Sequence, residues 1–302
     1  NYNDVVKTFV PRMSRSEVME KVFEDLDYAQ GHIKQGVKAN DKDGSVTYLT
    51  TELTQEAAWA LMARASLFEG TFQKYHREDE VLSKKWIQRA KDAATKIMNA
   101  KYKLRPSFKE TYNSEILGGS TDIILYKEYT LGRLTHSVQA FNNTSTVING
   151  MTKSAIDSYV CKDGLPISQS PLYKGDRSLT DILQDRDERL VAATETKDIS
   201  YRGMKHRTPD LKGRVSTSGY VFALYNNPAS QNVTTTGQNT IDAPVFTYAE
   251  ALLIYAEACA ELGNITNEDL NKSVNLLRAR AGVAQLTVSG DVASAGGVVI
   301  ND

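Results

Sequence analysis

Apolar residues recur at helical spacing in two parts of the chain, and that order is lost between them. Ser14-Arg15-Ser16-Glu17 reads as a capping box, in which Ser14 accepts from the backbone and Glu17 reaches back. Behind it Val18, Val22, Leu26, Ala29 and Ile33 fall on one face of an amphipathic helix that stops near Gly31 or Gly36. A second helix is predicted from 54 to about 75, with a stripe of Leu53, Ala57, Leu61, Ala65, Phe68 and Phe72 and many alanines that permit close approach. A third, capped by Ser83, carries Trp86, Ala90, Ala93 and Ile97, and pairs with the second as an αα-hairpin. Far along the chain Tyr248, Leu252, Tyr255, Cys259 and Leu262 form another stripe, with Gly263 placed as the C′ residue. Thr266 can cap the next helix, with Leu270, Val274, Leu277 and Ala281 on its face and Gly282 closing it.

From about 101 to 245, prolines, glycines and Ser/Thr/Asn clusters dominate. Brief helices are expected near 155–160 and 181–184, and short strands at 123–126 and 219–224. The turn-rich segment 38–51 superficially matches a calcium loop, but Ala39 and Thr50 would occupy ligand positions one and twelve, so a solvated connector is expected. The tail from Ser289 to Asp302 gives no signal. The expected fold class is therefore mainly α: tetratricopeptide-like helical hairpins, a loop-rich middle and little β, although the Trp-Leu-Gly-Tyr signature of that repeat is absent. The expected division is a helical-hairpin region 1–105 and a second region 106–302, irregular over 106–245 with a hairpin over 246–283.

Composition narrows the function. The 36 Lys and Arg balance 37 Asp and Glu to a net charge of −1, which argues against a nucleic-acid partner. No cluster of four basic residues supports electrostatic docking on a membrane. The longest apolar run, around Ala251 to Ala258, is framed by Glu250 and Glu257 and falls far short of the roughly 20 residues of a membrane-spanning helix. The chain starts at Asn1 without a signal peptide, as a mature or truncated product would. Two cysteines, Cys161 and Cys259, rule out a disulfide scaffold and a Cys-x-x-Cys zinc site, and Cys259 reads as a buried thiol. Fifteen tyrosines against eight phenylalanines favour flat, hydroxyl-bearing surfaces suited to sugars.

The usual catalytic signatures are missing. There is no G-x-S-x-G elbow, no H-E-x-x-H and no glycine-rich phosphate loop, and His32, His76, His136 and His206 lie in separate segments. Neither a catalytic residue nor a metal or cofactor is expected. A carboxylate pair for glycoside hydrolysis can be distant in sequence, so an all-helical glycoside hydrolase stays open.

Three blocks carry a family resemblance. The first is Leu53 to Phe72 followed by Lys74-Tyr75-His76. The second is Tyr159 to Ile167 with Asp163-Gly164-Leu165-Pro166, then Ser170-Pro171-Leu172-Tyr173 and Arg186-Asp187-Glu188-Arg189-Leu190. The third is Tyr248 to Ala258, then Leu262-Gly263-Asn264 and Asn275 to Gly282. In this order they resemble the SusD/RagB family, surface lipoproteins of Bacteroidetes glycan-uptake systems, from about Ser14 to Val283. The resemblance implies a SusD-like α-α superhelix that binds an oligosaccharide or polysaccharide without cleaving it and delivers it to a SusC-like TonB-dependent transporter. It implies the extracellular face of the outer membrane, with attachment only through an N-terminal lipid anchor absent from this chain. It further implies a fragment lacking the N-terminal region and part of the C-terminus. Some relatives are linked to peptide uptake, so a peptide or other nutrient stays open, as does an intracellular helical-repeat scaffold.

The family pattern departs at Thr247, where an Arg is usual, and at Glu188, where a Pro is usual. The motif residues read as structural: Asp163 and Gly164 for a turn, Arg186 and Asp187 for a buried ion pair, Glu250 and Glu257 for helix packing. Ligand contacts implied by the resemblance come from the loop stretch before the Asp-Gly-Leu-Pro motif, where Tyr129, Arg133, His136, Phe141, Asn142 and Asn143 mix aromatic and polar groups off the helical stripes.

Overall fold

The computed structural model describes residues 11–40, 42–143, 150–196, 199–201, 204–206, 216–230, 232 and 234–301. Helix α1 (Arg15–His32) opens with the expected capping box: Ser14 Oγ accepts from the Glu17 amide at 3.3 Å, and the Ser14 amide donates to Glu17 Oε2 at 2.8 Å. Its buried face differs from the expected stripe. Val18 and Val22 are exposed, whereas Phe23 and Leu26 are buried with Met19 packed beside them. The reason is the partner: the Phe23 ring stacks on Trp86 at 4.3 Å, and that contact sets the helix rotation.

A hairpin of β1 (Val37–Ala39) and β2 (Val46–Tyr48) replaces the expected connector. Buried Glu56 holds its start, accepting from the Gly36 amide at 2.6 Å and the Val37 amide at 3.2 Å. Helix α2 (Gln55–Phe72) is capped by Thr54 and runs on into a π-turn, Gln73–Arg77. Its expected stripe is also rotated. Leu53, Leu61 and Phe68 face outward, while Ala57, Ala58, Ala60, Met62, Ala63, Ser66, Leu67 and Gly70 are buried. Small residues win the interface because they allow close contact. A Cβ on Gly70 would come within 2.5 Å of Ile87 Cγ1 on α3. Helix α3 (Glu80–Met98) is capped by Asp79, which accepts from Leu82 N at 2.9 Å, and not by Ser83, which is buried within the helix. Its stripe of Trp86, Ala90, Ala93 and Ile97 is buried as expected.

Helix α9 (Tyr248–Glu261) packs on α2 and α3 and completes the main core, with Ile254, Tyr255, Ala258 and Cys259 against Met62, Ala63, Trp86 and Ala90. Thr247 caps it, accepting from Glu250 N at 3.2 Å. Its end is a Schellman motif. Gly263 N donates to Ala260 O and Asn264 N to Cys259 O, and Gly263 takes the left-handed φ of 71° that its lack of a Cβ permits. Glu250 joins α9 to α2 through a two-pronged pair with Arg64, at 2.5 and 2.7 Å, while Glu257 faces outward, contrary to its expected packing role.

The single helix expected after Thr266 is two: α10 (Asn267–Asn271) and α11 (Val274–Arg280). Ser273 breaks it by bonding its hydroxyl to the Asp269 carbonyl. Asp269 is the hub of this corner, accepting from Tyr255 Oη at 2.6 Å and Thr266 Oγ1 at 2.7 Å beside Lys272 Nζ at 3.1 Å. Burial works against its charge, but these donors outweigh it and hold Asp269 well below the usual carboxylate range. A folded pKa below the unfolded one gives stability that is complete above the ordinary aspartate range and is lost as pH falls through it. We therefore expect unfolding free energy to drop between about pH 5 and pH 2 more steeply in the wild type than in Asp269→Asn. Urea titrations across that range test this, and parallel slopes would contradict it.

The middle region holds four short helices resolved by their own caps: α4 (Phe108–Asn113), α6 (Lys153–Ser158), α7 (Leu179–Leu183) and α8 (Glu188–Ala193). Helix α5 (Val138–Asn143) lies between the first two. Strand β3 (Ile123–Lys127) pairs antiparallel with β6 (Ala243–Thr247), and β4 (Ile199–Tyr201) with β5 (Met204–His206). The strand expected at 219–224 does not form. Its backbone is shared between Met151, which donates to Tyr220 O, and the end of α8, where Ala223 N donates to Ala193 O. The tail forms an antiparallel meander of β7 (Leu286–Ser289), β8 (Val292–Ala295) and β9 (Val298–Val299).

The Asp163–Gly164 turn is as expected. Asp163 accepts from Leu165 N and Ser170 Oγ, and Gly164 has φ 83°. The expected Arg186–Asp187 ion pair is not made. Buried Arg186 instead donates to three carbonyls, and Asp187 pairs with Arg189 at 2.6 Å while capping α8.

Candidate functional site

The chain leaves β3 at Lys127 and enters a loop pinned by one buried carboxylate. Asp242 accepts from the Tyr129 amide through Oδ1 and from the Leu117 amide through Oδ2, both at 2.9 Å. Burial pushes the Asp242 pKa up while these two amides hold it down. Beyond Tyr129 the loop closes on itself: Thr130 N donates to Leu134 O, Leu134 N returns to Thr130 O, and Gly132 supplies the left-handed turn at φ 82°.

His136 anchors the far side. Its Nε2–H donates to the Ile241 carbonyl at 2.9 Å, and its Nδ1 accepts from the Val138 amide at 3.1 Å, which fixes the neutral tautomer. Burial lowers its pKa in the same sense. The Tyr129 and His136 rings meet edge to face, with centroids 4.7 Å apart. Arg133 projects from the loop tip with its side chain 81% exposed, and Glu128 Oε2 stands 4.0 Å from its guanidinium. Arg133 and Glu128 border a polar cleft of about 260 Å3, lined also by Thr51, Tyr126, Lys127, Thr130 and Leu134; Tyr129 and His136 are not among its lining residues.

Of the residues expected at the site, Tyr129, Arg133 and His136 therefore share one loop. Phe141 is half-buried on α5, and Asn142 is buried, with its amide donating to the Leu224 carbonyl at 3.0 Å. The side chain of Asn143 lies outside the described residues. Thr51 and Glu128 were not anticipated. Glu128 adjoins Tyr129 and could have been included on composition, whereas Thr51 arrives only because the backbone of Tyr126 bonds Thr50 O.

A second cleft, of about 500 Å3, was also missed. Trp59, Lys96, Gln35, Asn99 and Lys101 line it, with the Trp59 indole N–H held by Gln30 Oε1 at 3.1 Å. Trp59 lies off every apolar stripe, and that was the signal available. Among the described residues no three His, Cys, Asp or Glu side chains gather as a metal site, and no helix is long and apolar enough to cross a membrane.

The model of the SusD family matches residues 126–297. Among solved structures, a SusD-like carbohydrate-binding protein from Bacteroides fragilis superposes with TM-score 0.66 at 17% identity, covering 95% of this chain and 54% of that one. Surface glycan-binding protein A from Bacteroides uniformis gives TM-score 0.57 at 16% identity, covering 93% and 53%. A structure with xylogluco-oligosaccharide gives 0.59 at 14%, covering 94% and 52%. The chain spans about half the length of these solved relatives. No curated protein matches.

Proposed function

The chain belongs to the SusD family, and from that premise we propose that it captures glycans without cleaving them and passes them to a SusC-like TonB-dependent transporter. In this reading the whole protein sits on the extracellular face of the outer membrane, held by a lipid anchor. The single observation that carries the reading is the pinned loop of Tyr129, Arg133 and His136. In this reading the half-buried Tyr129 ring, held against His136 and lying in sequence between the cleft residues Glu128 and Thr130, meets the C–H side of a sugar, and Arg133, Glu128 and Thr130 offer donors and acceptors to its hydroxyls. His136 acts here as the residue that positions Tyr129, because both ring nitrogens are engaged. The SusD-like likeness to a carbohydrate-binding protein and to a structure with xylogluco-oligosaccharide supports the same class of ligand.

Calorimetric titration of a saccharide panel, beginning with xylogluco-oligosaccharide, tests this. We expect saturable binding that weakens about 3- to 10-fold in Tyr129→Ala, the worth of one aromatic contact. Silence across the panel from a folded protein would sink the reading, a peptide ligand would redirect it, and release of new reducing ends would replace it with hydrolysis.

A further inference from the structure

The Tyr129 loop is fastened along its length to the segment 237–242. Thr135 Oγ1 donates to the Gly237 carbonyl at 2.6 Å, and the Gly237 amide returns to Ser137 Oγ at 2.9 Å. His136 and Asn239 exchange both backbone bonds at 3.0 Å, and buried Asn239 also accepts from the Ala140 amide at 2.8 Å. Asp242 takes the Tyr129 amide at 2.9 Å. Of the side chains in this clasp, only His136 is of a type that ordinarily changes charge near neutral pH.

The two ring nitrogens of His136 have opposite roles. Nδ1 faces the Val138 amide at 3.1 Å, and because a backbone N–H can only donate, Nδ1 must accept. Nε2 faces the Ile241 carbonyl at 2.9 Å, which can only accept, so Nε2 carries the proton. A second proton has to go on Nδ1, where two N–H donors then point at each other. Turning the ring to relieve that clash gives up the Ile241 bond and the edge-to-face packing on Tyr129.

Few charges surround the ring. Helix α5 carries no titratable side chain, and neither does 237–241. Among the described residues Asp242 is the carboxylate that acts on His136, and both its oxygens already accept, from the Tyr129 and Leu117 amides. Glu115, which accepts from Thr240 Oγ1 at 2.8 Å, and Glu128 act on Asp242 in turn. The Tyr129 phenol is the titratable group whose ring meets the imidazole. Burial is the largest influence on His136 and disfavours its charged form; the Ile241 carbonyl and Asp242 favour that form and are outweighed. A folded pKa below the unfolded one contributes stability that is complete above the ordinary histidine range and is lost as pH falls through about 6.5.

We propose that His136 is a pH-operated latch on the Tyr129 loop: neutral, it clasps the loop to 237–242 in its binding form, and protonated, it releases the loop and weakens ligand capture. The latch rests on the two bonds of the ring, while its effect on capture rests on the glycan reading above.

Proton–nitrogen spectra of the histidine rings, recorded on the 302-residue chain from about pH 7.5 to pH 5, read the latch directly. At the upper end His136 is expected as the tautomer protonated on Nε2, and its titration is expected to move the amides of Tyr129, Val138 and Gly237 together. Calorimetric titration with xylogluco-oligosaccharide over the same range is expected to show affinity falling about three- to tenfold as His136 gains its proton. His136→Asn offers a side-chain oxygen to the Val138 amide and takes no proton, so its affinity is expected to stay level across the range. A His136 protonated on Nδ1 alone or neutral throughout, loop amides that ignore its titration, or saccharide affinity that is constant in the wild type or falls equally in His136→Asn would overturn the latch and leave glycan capture standing. Loop amides that follow His136 while no saccharide binds at any pH would keep the latch and overturn the glycan reading.

Discussion

Replacing Trp86 by alanine is expected to lower the unfolding free energy by about 3–5 kcal/mol, the usual cost of emptying a buried indole site. Trp86 is 1% exposed and sits where three elements meet. It stacks on Phe23 of α1 at 4.3 Å, and belongs to the cluster that also holds Met62 and Ala63 of α2 and Ile254 and Tyr255 of α9. Ala63, Ala90, Ala93, Ala94 and Ala258 belong to that cluster, and their short side chains cannot collapse into the space left behind.

Helix α1 should loosen first. Apart from Phe23, Leu26, the partly buried Met19 and the pair of Arg15 with buried Glu69, it is held by ion pairs at its surface, such as Arg89–Asp27 at 2.6 Å and Lys85–Glu20, and exposed pairs contribute little. Denaturant unfolding measures the total, and amide exchange in Arg15–His32 against that in α3 measures the order of opening. A loss below about 1 kcal/mol would mean that the Phe23–Trp86 stack does not organise the core.

Arg186→Met is expected to be nearly as damaging, at about 3–5 kcal/mol. Arg186 is 1% exposed, and its guanidinium donates to Ile182 O at 3.2 Å, Ile156 O at 2.8 Å and Tyr159 O at 2.6 Å. Those carbonyls end α6 and α7, whose last turns have no internal donors. One cation therefore closes two short helices. Methionine fills the volume and leaves the three acceptors dry. Arg186→Lys should recover only part of the loss, because an ammonium cannot span the fork. If Arg186→Met and wild type unfold at the same denaturant concentration, the carbonyls have other partners and this account of the middle region fails.

What the sequence disclosed follows from how local each determinant is. The Ser14 capping box, the Thr266 cap and the Gly263 and Gly282 terminators involve residues within five positions of one another, and each stands as read. The buried faces of α1 and α2 were misplaced because periodicity identifies an apolar face without saying what meets it. On α2 the large residues Leu61 and Phe68 lie outside, and the alanine-and-glycine side carries the packing. Asp187 illustrates the same limit, since adjacency to Arg186 suggested a pair but the helix N-terminus and Arg189 claimed the carboxylate.

At the candidate site, composition singled out one stretch of loop, but the role of each residue in it depended on contacts far along the chain. The acceptor for His136 lies 105 residues away at Ile241, and that for Asn142 lies 82 residues away at Leu224. No local pattern could separate these scaffold residues from Tyr129 and Arg133. Arg278 and Arg280 look alike in the motif and are both half-buried, and only the partners of each distinguish them.

The central claim is capture of a glycan without chemistry, and one NMR titration addresses both halves. Amide spectra of the chain with increasing xylogluco-oligosaccharide should show saturable shifts at Tyr129, Arg133 and their neighbours, while the carbohydrate signals persist unchanged after prolonged incubation. Amides that stay still at saturating saccharide, or new reducing-end signals that grow with time, would contradict it.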